Sequence, residues 1–247
     1  MQPDISLILP AYNEAGRIAG TIGEAVAYFA SRGYTYEILV AADGEDGTRE
    51  IVSGLGQKDP AIRAFGAPGR NGKGRGIRQA VAMATGAIVG FADADNKVPI
   101  EEYDKLAPFL AEGFPIAIGS RAVARAAILR SQPWYRRIGG RGFRVFMRMA
   151  TGLREISDTQ CGFKFFHGDV ARRLFALQKI DGYMYDVEIL LLAQYLGYRV
   201  REVPIRWRDD GDSRLQLVRG NLRNLRDILR LRAQARAAVR AEAAGRS

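Results

Sequence analysis

Two carboxylates, Asp93 and Asp95, follow an apolar run at residues 87–89 and are separated only by Ala94. Residues i and i+2 of an extended segment point to the same side, so both carboxylates can address one cation. Two negative charges this close oppose joint ionisation unless a cation compensates them. The pair therefore predicts a cation site, although an Asp-x-Asp sequence is weak evidence alone and an ordinary turn is the alternative interpretation.

The type of metal is limited by composition, since Cys161 and His167 are the single cysteine and the single histidine of the chain. Neither an intrachain disulfide nor a His/Cys zinc site can be built from them. A chain without disulfides fits a reducing compartment. Any metal must lie on carboxylates, which favours Mg²⁺ or Mn²⁺.

A second candidate element is the glycine-rich stretch at residues 70–74 (RNGKG), which enters a predicted helix. Backbone N–H groups and the ammonium of Lys73 can meet negative charge at such a helix start. The stretch is not a Walker A loop, because Gly74 stands at the Ser/Thr position. It indicates phosphate binding, with a glycine-rich turn capped by a surface lysine as the alternative.

The elements that must position these residues alternate along the first half of the chain. Hydrophobic runs predict strands over residues 5–9, 36–40, 62–65, 87–91 and 116–118. Helical spacing predicts helices over residues 14–30 (with Asn13 as N-cap), 48–55, 73–84 and 101–111. The second half predicts strands at 163–166 and 199–207, helices at 170–177 and 187–195, and an amphipathic basic helix over about 215–240. The alternation predicts an α/β fold with a mainly parallel sheet covered by helices on both faces.

Three polar loops follow predicted strands, at residues 10–14, 43–48 and 93–95. The carboxyl ends of parallel strands share one edge of a sheet, and ligands bind in the crevice there. Together these loops supply an aromatic ring, several carboxylates and glycines. This set suits a nucleotide with a divalent metal on its phosphates.

Charge is unevenly distributed in this chain, whose formal net charge is +10. Residues 121–154 contain nine arginines and no acid. Such a stretch indicates a polyanionic surface as partner, either nucleic acid or anionic lipid, with a solvated basic face as the alternative. No apolar run reaches the roughly 18–20 residues of a membrane span, and no signal-peptide pattern opens the chain. We therefore expect a cytoplasmic protein.

Several motifs occur in a specific order. They are residues 7–14 (LILPAYNE), 43–48 (DGEDGT), 72–74 (GKG), 93–95 (DAD), 118–121 (IGSR), 158–164 (DTQCGFK), 185–188 (YDVE), 202–207 (EVPIRW) and 211–214 (GDSR). This order resembles the GT-A fold of the family 2 inverting glycosyltransferases, over roughly residues 5–230. Within that family it is most similar to the dolichyl- and polyprenyl-phosphate glucosyltransferases, followed by the dolichyl-phosphate mannose synthases.

The resemblance implies a role for each matching residue. It implies a nucleotide-sugar site made of Pro10, Tyr12, Glu14, Asp43, Lys73, Asp93, Ala94, Asp95 and Arg214. Asp93 and Asp95 match the metal-binding pair, for Mg²⁺ or Mn²⁺, and catalysis is expected of Asp158 and Asp95. Arg121 and Arg136 match positions near the phosphate of a lipid acceptor.

Three positions depart from the family pattern. Ala42 replaces the first of two usual aspartates, and Asn71 is displaced by one residue from its usual place. Lys97 stands where the mannose synthases have a glutamine near the metal. The positive charge of Lys97 would either weaken metal binding or partly replace the metal.

The expected function is inverting transfer of a hexose from a nucleotide-diphosphate sugar to a polyprenyl phosphate, with UDP-glucose favoured over GDP-mannose as donor. Arginines and aromatic residues between 121 and 147 favour an anionic membrane surface as partner, and hence a peripheral place on the cytoplasmic face. A family 2 enzyme acting on a different acceptor, such as a cell-wall glycan or a protein, is the alternative. A nucleic-acid binder is the competing class, but acids at the strand ends would repel phosphates, so no nucleic-acid partner is expected. We expect one glycosyltransferase domain over residues 1–212 and a basic helical extension over 213–247.

Overall fold

The computed structural model describes residues 2–123, 127–128, 151–153, 155–208 and 221–245, with the backbone alone for residues 127–128 and 221–230. The strands are β1 (Ile5–Tyr12), β2 (Tyr36–Asp43), β3 (Ile62–Phe65), β4 (Ile88–Ala92), β5 (Ile116–Ser120), β6 (Ala127–Ile128), β7 (Phe163–His167), β8 (Val200–Pro204) and β9 (Arg206–Trp207). The helices are α1 (Ile18–Arg32), α2 (Thr48–Lys58), α3 (Lys73–Met83), α4 (Tyr103–Ala111), α5 (Gly168–Leu177), α6 (Tyr185–Tyr195) and α7 (Asn221–Ala244). These elements confirm the predicted α/β class.

The described strands form a seven-stranded sheet in the order β3-β2-β1-β4-β7-β5-β8 and a separate parallel pair of β6 and β9. Strand β1 pairs in parallel with β2 and β4, β2 with β3, and β5 with β8. Strand β7 runs antiparallel to both of its neighbours, β4 and β5. The mainly parallel sheet is therefore as predicted, and the reversed β7 is a feature that the sequence pattern did not specify.

Both faces of the sheet are covered by helices. Along β1, Ile8 faces one apolar cluster while Leu7 and Leu9 face the other, as the two-residue period of a strand requires. The first cluster contains residues of α3, α5, α6 and α7, and the second contains residues of α1, α2 and α4. Burial on both faces is the reason the central strands appear in the sequence as continuous apolar runs.

The start of α1 differs from the prediction. Strand β1 stays paired with β2 as far as Tyr12, and α1 begins only at Ile18, so Asn13 is not its N-cap. Instead, Asn13 has a positive φ of 55°, and its Oδ1 accepts the N–H of Glu45 at 3.2 Å. The pairing with β2 thus lengthens the strand, and the side chain of Asn13 fastens the loop after β2.

The C-terminal helix is present as α7. Leu231 and Ala235 are buried in the same cluster as α6, while Arg232 and Arg240 are exposed. Whether residues 213–247 act as an extension stays a prediction, although α7 contributes to the main core. Within the described residues, no helix combines the length and the apolar character that crossing a membrane requires.

Gly90 lets β4 and β7 lie side by side just before the Asp93 segment. It pairs with Phe165, and a Cβ on Gly90 would stand 2.1 Å from Cδ1 of the Phe165 ring. No real Cβ tolerates such a distance, so a larger residue would force the ring or the strand to move.

We expect Gly90→Ala to lower the free energy of unfolding by about 1–3 kcal/mol, the usual effect of overpacking, as measured by urea denaturation. The matched control is Gly23→Ala, at an exposed position of α1 where a Cβ would meet nothing within 4 Å. That control should leave stability unchanged or increase it, because alanine is the better helix former. Equal stability of the two variants would contradict the close packing of β4 on β7.

Candidate functional site

The three predicted loops meet at one edge of the sheet. Tyr12 ends β1 and Asp43 ends β2, and the two residues are direct register partners. Asp93 directly follows β4, which pairs with the other side of β1. The strand order reverses its direction of growth between β1 and β4, and that switch point is where open parallel sheets bind ligands. The expected shared edge is therefore present.

Asp43 fastens the loop that leads into α3. Its carboxylate accepts the N–H of Asn71 at 2.8 Å and the N–H of Ala67 at 3.3 Å. Arg49 supports the same loop by donating to the carbonyls of Ala42 and Ala67. Both oxygens of Asp43 accept hydrogen bonds from backbone and side-chain N–H groups. Asp43 can therefore hold this loop by itself, although Ala42 stands where a second acid was expected.

Lys73 and Asp93 form an ion pair at the edge, with 2.5 Å between Lys73 Nζ and Asp93 Oδ1. Lys73 opens α3 directly after Gly72, whose φ of 107° suits glycine. Burial alone would lower the pKa of Lys73, but the charges of Asp93 and Asp186 outweigh it and raise the pKa. Lys73 therefore carries its positive charge throughout the physiological range.

Asp95 lies beside a second lysine, with 3.4 Å between Lys97 Nζ and Asp95 Oδ2. Burial and the neighbouring charge of Asp93 raise the pKa of Asp95, and the charge of Lys97 only partly opposes them. The folded protein thus disfavours the ionised form of Asp95, and an additional cation near this carboxylate would relieve the penalty.

The two aspartates fit a divalent cation that takes its remaining ligands from a bound molecule. The described residues contain no cluster of three or more His, Cys, Asp or Glu side chains that could form a full protein cage. Mg²⁺ is commonly held by one or two carboxylates together with substrate phosphates. Asp93 and Asp95 supply such a partial, all-oxygen set, with side chains 42% and 23% exposed.

Asp158 and Arg121 form a third ion pair nearby. The guanidinium of Arg121 donates to both carboxylate oxygens of Asp158, with Nε–Oδ2 at 2.8 Å and Nη2–Oδ1 at 2.9 Å. The backbone N–H of Arg121 also donates to Asp158 Oδ2 at 3.0 Å. Burial alone would raise the pKa of Asp158, but these bonds and the charge of Arg121 lower it. Asp158 is therefore a fixed carboxylate and a weak base.

Glu202 of β8 holds the backbone of the Asp158 segment. Its carboxylate accepts the N–H of Asp158 at 2.7 Å and the N–H of Ser157 at 3.0 Å. The ring of Trp207 lies 5.7 Å from the guanidinium of Arg121, within cation–π range. Asp158 and Arg121 are thus set by contacts on several sides.

The Lys73–Asp93 pair and the Arg121–Asp158 pair lie at the same edge because β7 is antiparallel. Its first residue, Phe163, pairs with Ala92 at the end of β4, so the segment leading into β7 passes the start of the Asp93 loop. Gly162 accepts the N–H of Asp93 at 3.1 Å, and a Cβ on Gly162 would stand 2.2 Å from Asp93 Oδ2. Only glycine allows this approach, which brings the Asp158 segment against the acid pair.

The remaining predicted residues are placed as follows. Pro10 lies within β1, and Glu14 follows its end, with its N–H bonded to Thr48 Oγ1 at 3.0 Å. Ala94 is buried, and its carbonyl accepts from Thr21. Arg136 and Arg214, predicted for the lipid phosphate and the nucleotide sugar, lie outside the described residues.

Several other residues at or behind this edge had no predicted role of their own. Arg70 lies 4.8 Å from the ring of Tyr12 and donates to the hydroxyl of Tyr183 at 2.9 Å. Lys164 and Asp186 form a buried pair behind the site. Arg70, Lys164 and Asp186 lie in the sequence motifs at residues 70–74, 158–164 and 185–188, whereas Tyr183 carried no sequence signal.

Comparison with known proteins agrees with this geometry. The structure of glucosyl-3-phosphoglycerate synthase from Mycobacterium tuberculosis, in complex with Mn²⁺, UDP and glucosyl-3-phosphoglycerate, superimposes with a TM-score of 0.67 at 21% identity, covering 93% of this chain and 80% of that one. The fold is thus the GT-A glycosyltransferase fold that the motifs predict.

The model of the family "Glycosyl transferase family 2" matches residues 6–175, and the chain belongs to this family. A dolichyl-phosphate beta-glucosyltransferase of Drosophila melanogaster is 34% identical over 226 residues, which cover 86% of this chain and 69% of that protein. One from Trichomonas vaginalis is 34% identical over 223 residues, which cover 86% of this chain and 66% of that protein. The chain thus spans about two thirds of the length of these two relatives.

We expect Lys97→Gln to tighten the binding of Mn²⁺ to the nucleotide-free protein by about tenfold, because it removes a positive charge next to Asp95. Titration calorimetry or the electron paramagnetic resonance signal of free Mn²⁺ would measure it. Lys105→Gln is the matched control, since Lys105 pairs with Glu102 at 2.5 Å on the α4 side of the sheet. Unchanged or weaker Mn²⁺ binding in the Lys97 variant would show that Lys97 does not compete with a cation.

Proposed function

We propose that this protein transfers glucose from UDP-glucose to a polyprenyl phosphate of the dolichyl type, with inversion at the anomeric carbon. The observation that carries the proposal is the meeting of two charged groups at one sheet edge, the Lys73–Asp93–Asp95 cluster and the Arg121–Asp158 pair. The first suits a nucleotide diphosphate and the second a phosphate acceptor. The names of the two dolichyl-phosphate beta-glucosyltransferase relatives support this choice of acceptor and sugar.

The donor lies over the ends of β1, β2 and β4 in this proposal. Tyr12 and Asp43 border the nucleoside, and Asp93 with Asp95 holds Mg²⁺ or Mn²⁺. When bound, the metal neutralises charge on the diphosphate. The solved glycosyltransferase structure with Mn²⁺ and UDP has the same fold, which supports this orientation of the donor. Lys73, whose pKa is raised, adds a permanent positive charge beside the diphosphate.

The acceptor phosphate lies against Arg121. An oxygen of this phosphate attacks the anomeric carbon, the bond from that carbon to the diphosphate oxygen breaks, and its electron pair leaves with UDP. A phosphate monoester is already largely ionised at neutral pH, because its second pKa is about 6. The attack therefore needs little help from a base. Asp158 serves instead by holding the guanidinium of Arg121 in a fixed orientation.

We place the protein at the cytoplasmic face of an anionic membrane, where its lipid acceptor would reside. The arginine-rich stretch between residues 121 and 154 supports this placement by its charge. The exposed arginines of α7, Arg232 and Arg240, add to the basic surface.

The experiment that tests the proposal is a transfer assay with labelled nucleotide sugars and a polyprenyl phosphate in detergent. We expect glucose transfer from UDP-glucose with Mn²⁺ or Mg²⁺ present, and a large loss of rate with EDTA. GDP-mannose is the comparison donor and should be used poorly. Transfer from GDP-mannose alone would overturn the choice of donor, and transfer only to glycan or protein acceptors would overturn the choice of acceptor.

We expect Asp158→Asn to raise the KM for polyprenyl phosphate and to lower kcat by less than about tenfold, since an essential general base contributes roughly 10²–10⁴-fold. Because the pKa of Asp158 is lowered, its protonation also falls below the usual assay range, so the rate between pH 5 and 8 should not follow this residue. Initial rates at varied acceptor concentration measure both constants. Asp169→Asn, at an exposed position of α5, is the control and should match the unmodified protein. A kcat loss of 10²-fold or more would restore Asp158 as a base.

A further inference from the structure

Lys164 is a fully buried cation at the centre of the sheet. It lies in β7 between Phe163 and Phe165, its exposed fraction is 0%, and its ammonium stands 5.5 Å from the ring of Phe91. Taking an ammonium out of water is strongly unfavourable even after the protein relaxes around it. A buried lysine in this place therefore needs specific partners.

The partners of Lys164 come from two segments. Its Nζ donates to Asp186 Oδ1 at 2.6 Å and to the carbonyl of Cys161 at 2.6 Å. Asp186 lies in the first turn of α6 and is only 4% exposed. Apolar residues of similar volume often stabilise a fold as well as a buried ion pair does, so stability alone is a weak explanation for this pair.

One end of the pair reaches the start of α3. Asp186 follows Tyr185, and a Cβ on Gly74 would stand 2.7 Å from the Cβ of Tyr185. Lys73 Nζ lies 5.9 Å from the centre of the Tyr185 ring. The N-terminus of α6 thus packs directly on the backbone that carries Lys73, and Asp186 adds a second negative charge behind that lysine.

The other end reaches the segment that carries Asp158. The carbonyl held by Lys164 belongs to Cys161, and the next residue is Gly162, which lies against Asp93. Displacement of this carbonyl would move Gly162 away from Asp93. It would also move Asp158, which lies three residues before Cys161, relative to the Lys73–Asp93–Asp95 cluster.

We propose that Lys164 and Asp186 are positioning residues that fix the Lys73 ammonium and the 158–162 segment in one arrangement around Asp93. They touch neither substrate directly and act through Lys73 and through the carbonyl of Cys161. The link to the donor rests on the proposed function, whereas the effect on Lys73 is a property of the unliganded protein. The two parts can therefore be tested separately.

The test replaces the pair by apolar residues of similar shape, Lys164→Met with Asp186→Leu. We expect the melting temperature to stay near that of the unmodified protein, because an apolar pair can replace a buried ion pair. Loss of the Asp186 contacts should loosen the packing of α6 on the start of α3 and expose the Lys73 side chain, which is 19% exposed in the folded protein, so acetylation of Lys73 by a limiting reagent, followed by mass spectrometry, should speed up several-fold. The affinity for UDP with Mn²⁺ should fall by about 10- to 100-fold, as for other residues that orient ligand-binding groups.

The matched control is the double change Arg173→Met with Glu242→Leu, which removes an ion pair of 2.9 Å between α5 and α7. It should change neither the labelling of Lys73 nor the affinity for UDP. If the Lys164/Asp186 double variant does not fold, the same two measurements are made on Asp186→Asn, which keeps the side-chain shape. Asp186→Glu, which keeps the charge, should restore part of the lost affinity for UDP.

The positioning role would be overturned if a folded Lys164/Asp186 variant matched the unmodified protein both in the rate of Lys73 labelling and in the affinity for UDP. Failure of the proposed function would give a different experimental result. In that case the unmodified protein would transfer no glucose, while Lys73 labelling in the absence of any ligand would still report on the pair.

Discussion

Compensation of negative charge at a partly exposed sheet edge is the constraint on which the rest of the site depends. β4 is buried on both faces and delivers Asp93 and Asp95 to its carboxyl end, where the two charges repel each other and are partly removed from water. Lysines supply the compensation within the protein, Lys73 for Asp93 and Lys97 for Asp95. Lys73 starts a helix, and its position is set by the glycine before it. Lys97 lies in a loop, and its position is set by a hydrogen bond to neighbouring backbone. The result is a site near neutrality that retains carboxylate oxygens for a cation brought with a diphosphate.

The reversal of β7 connects the two halves of the site. A parallel strand at this position would have begun at the opposite edge, and the segment containing Asp158 would have lain far from Asp93. Because β7 is antiparallel to β4, residues 158–162 enter the sheet beside the end of β4, and Gly162 allows direct contact with Asp93. The same strand carries Lys164, whose two bonds join that segment to α6. The arrangement also changes the interpretation of Asp158. Tied to Arg121 on both oxygens, it is better suited to orienting a cation than to accepting a proton.

Much of the fold could be predicted from sequence because its signals are local. Continuous apolar runs, helical spacing and loops rich in glycine and acid predict an α/β sheet and the edge at which Tyr12, Asp43 and Asp93 meet. The family resemblance inferred from the order of the motifs is confirmed by the match to glycosyl transferase family 2. Asn13 shows the limit of this reasoning. Its type suits an N-cap, but pairing of β1 with β2 extends the strand to Tyr12, and a tertiary contact with Glu45 takes the side chain. Local propensity is a weak guide wherever long-range pairing offers more hydrogen bonds.

The sequence by itself determined the class of the protein, the acid pair and the glycine-rich loop with Lys73, because residue types at short spacing are enough to define them. It marked Lys97 as a departure from the family pattern, but only the folded chain shows that its ammonium lies beside Asp95. Only the tertiary structure decided the direction of β7, the Arg121–Asp158 pair and the Lys164–Asp186 pair. These contacts join residues that are 22 to 37 positions apart in the chain. Their geometry follows from strand order and helix packing, and spacing along a sequence carries no record of either.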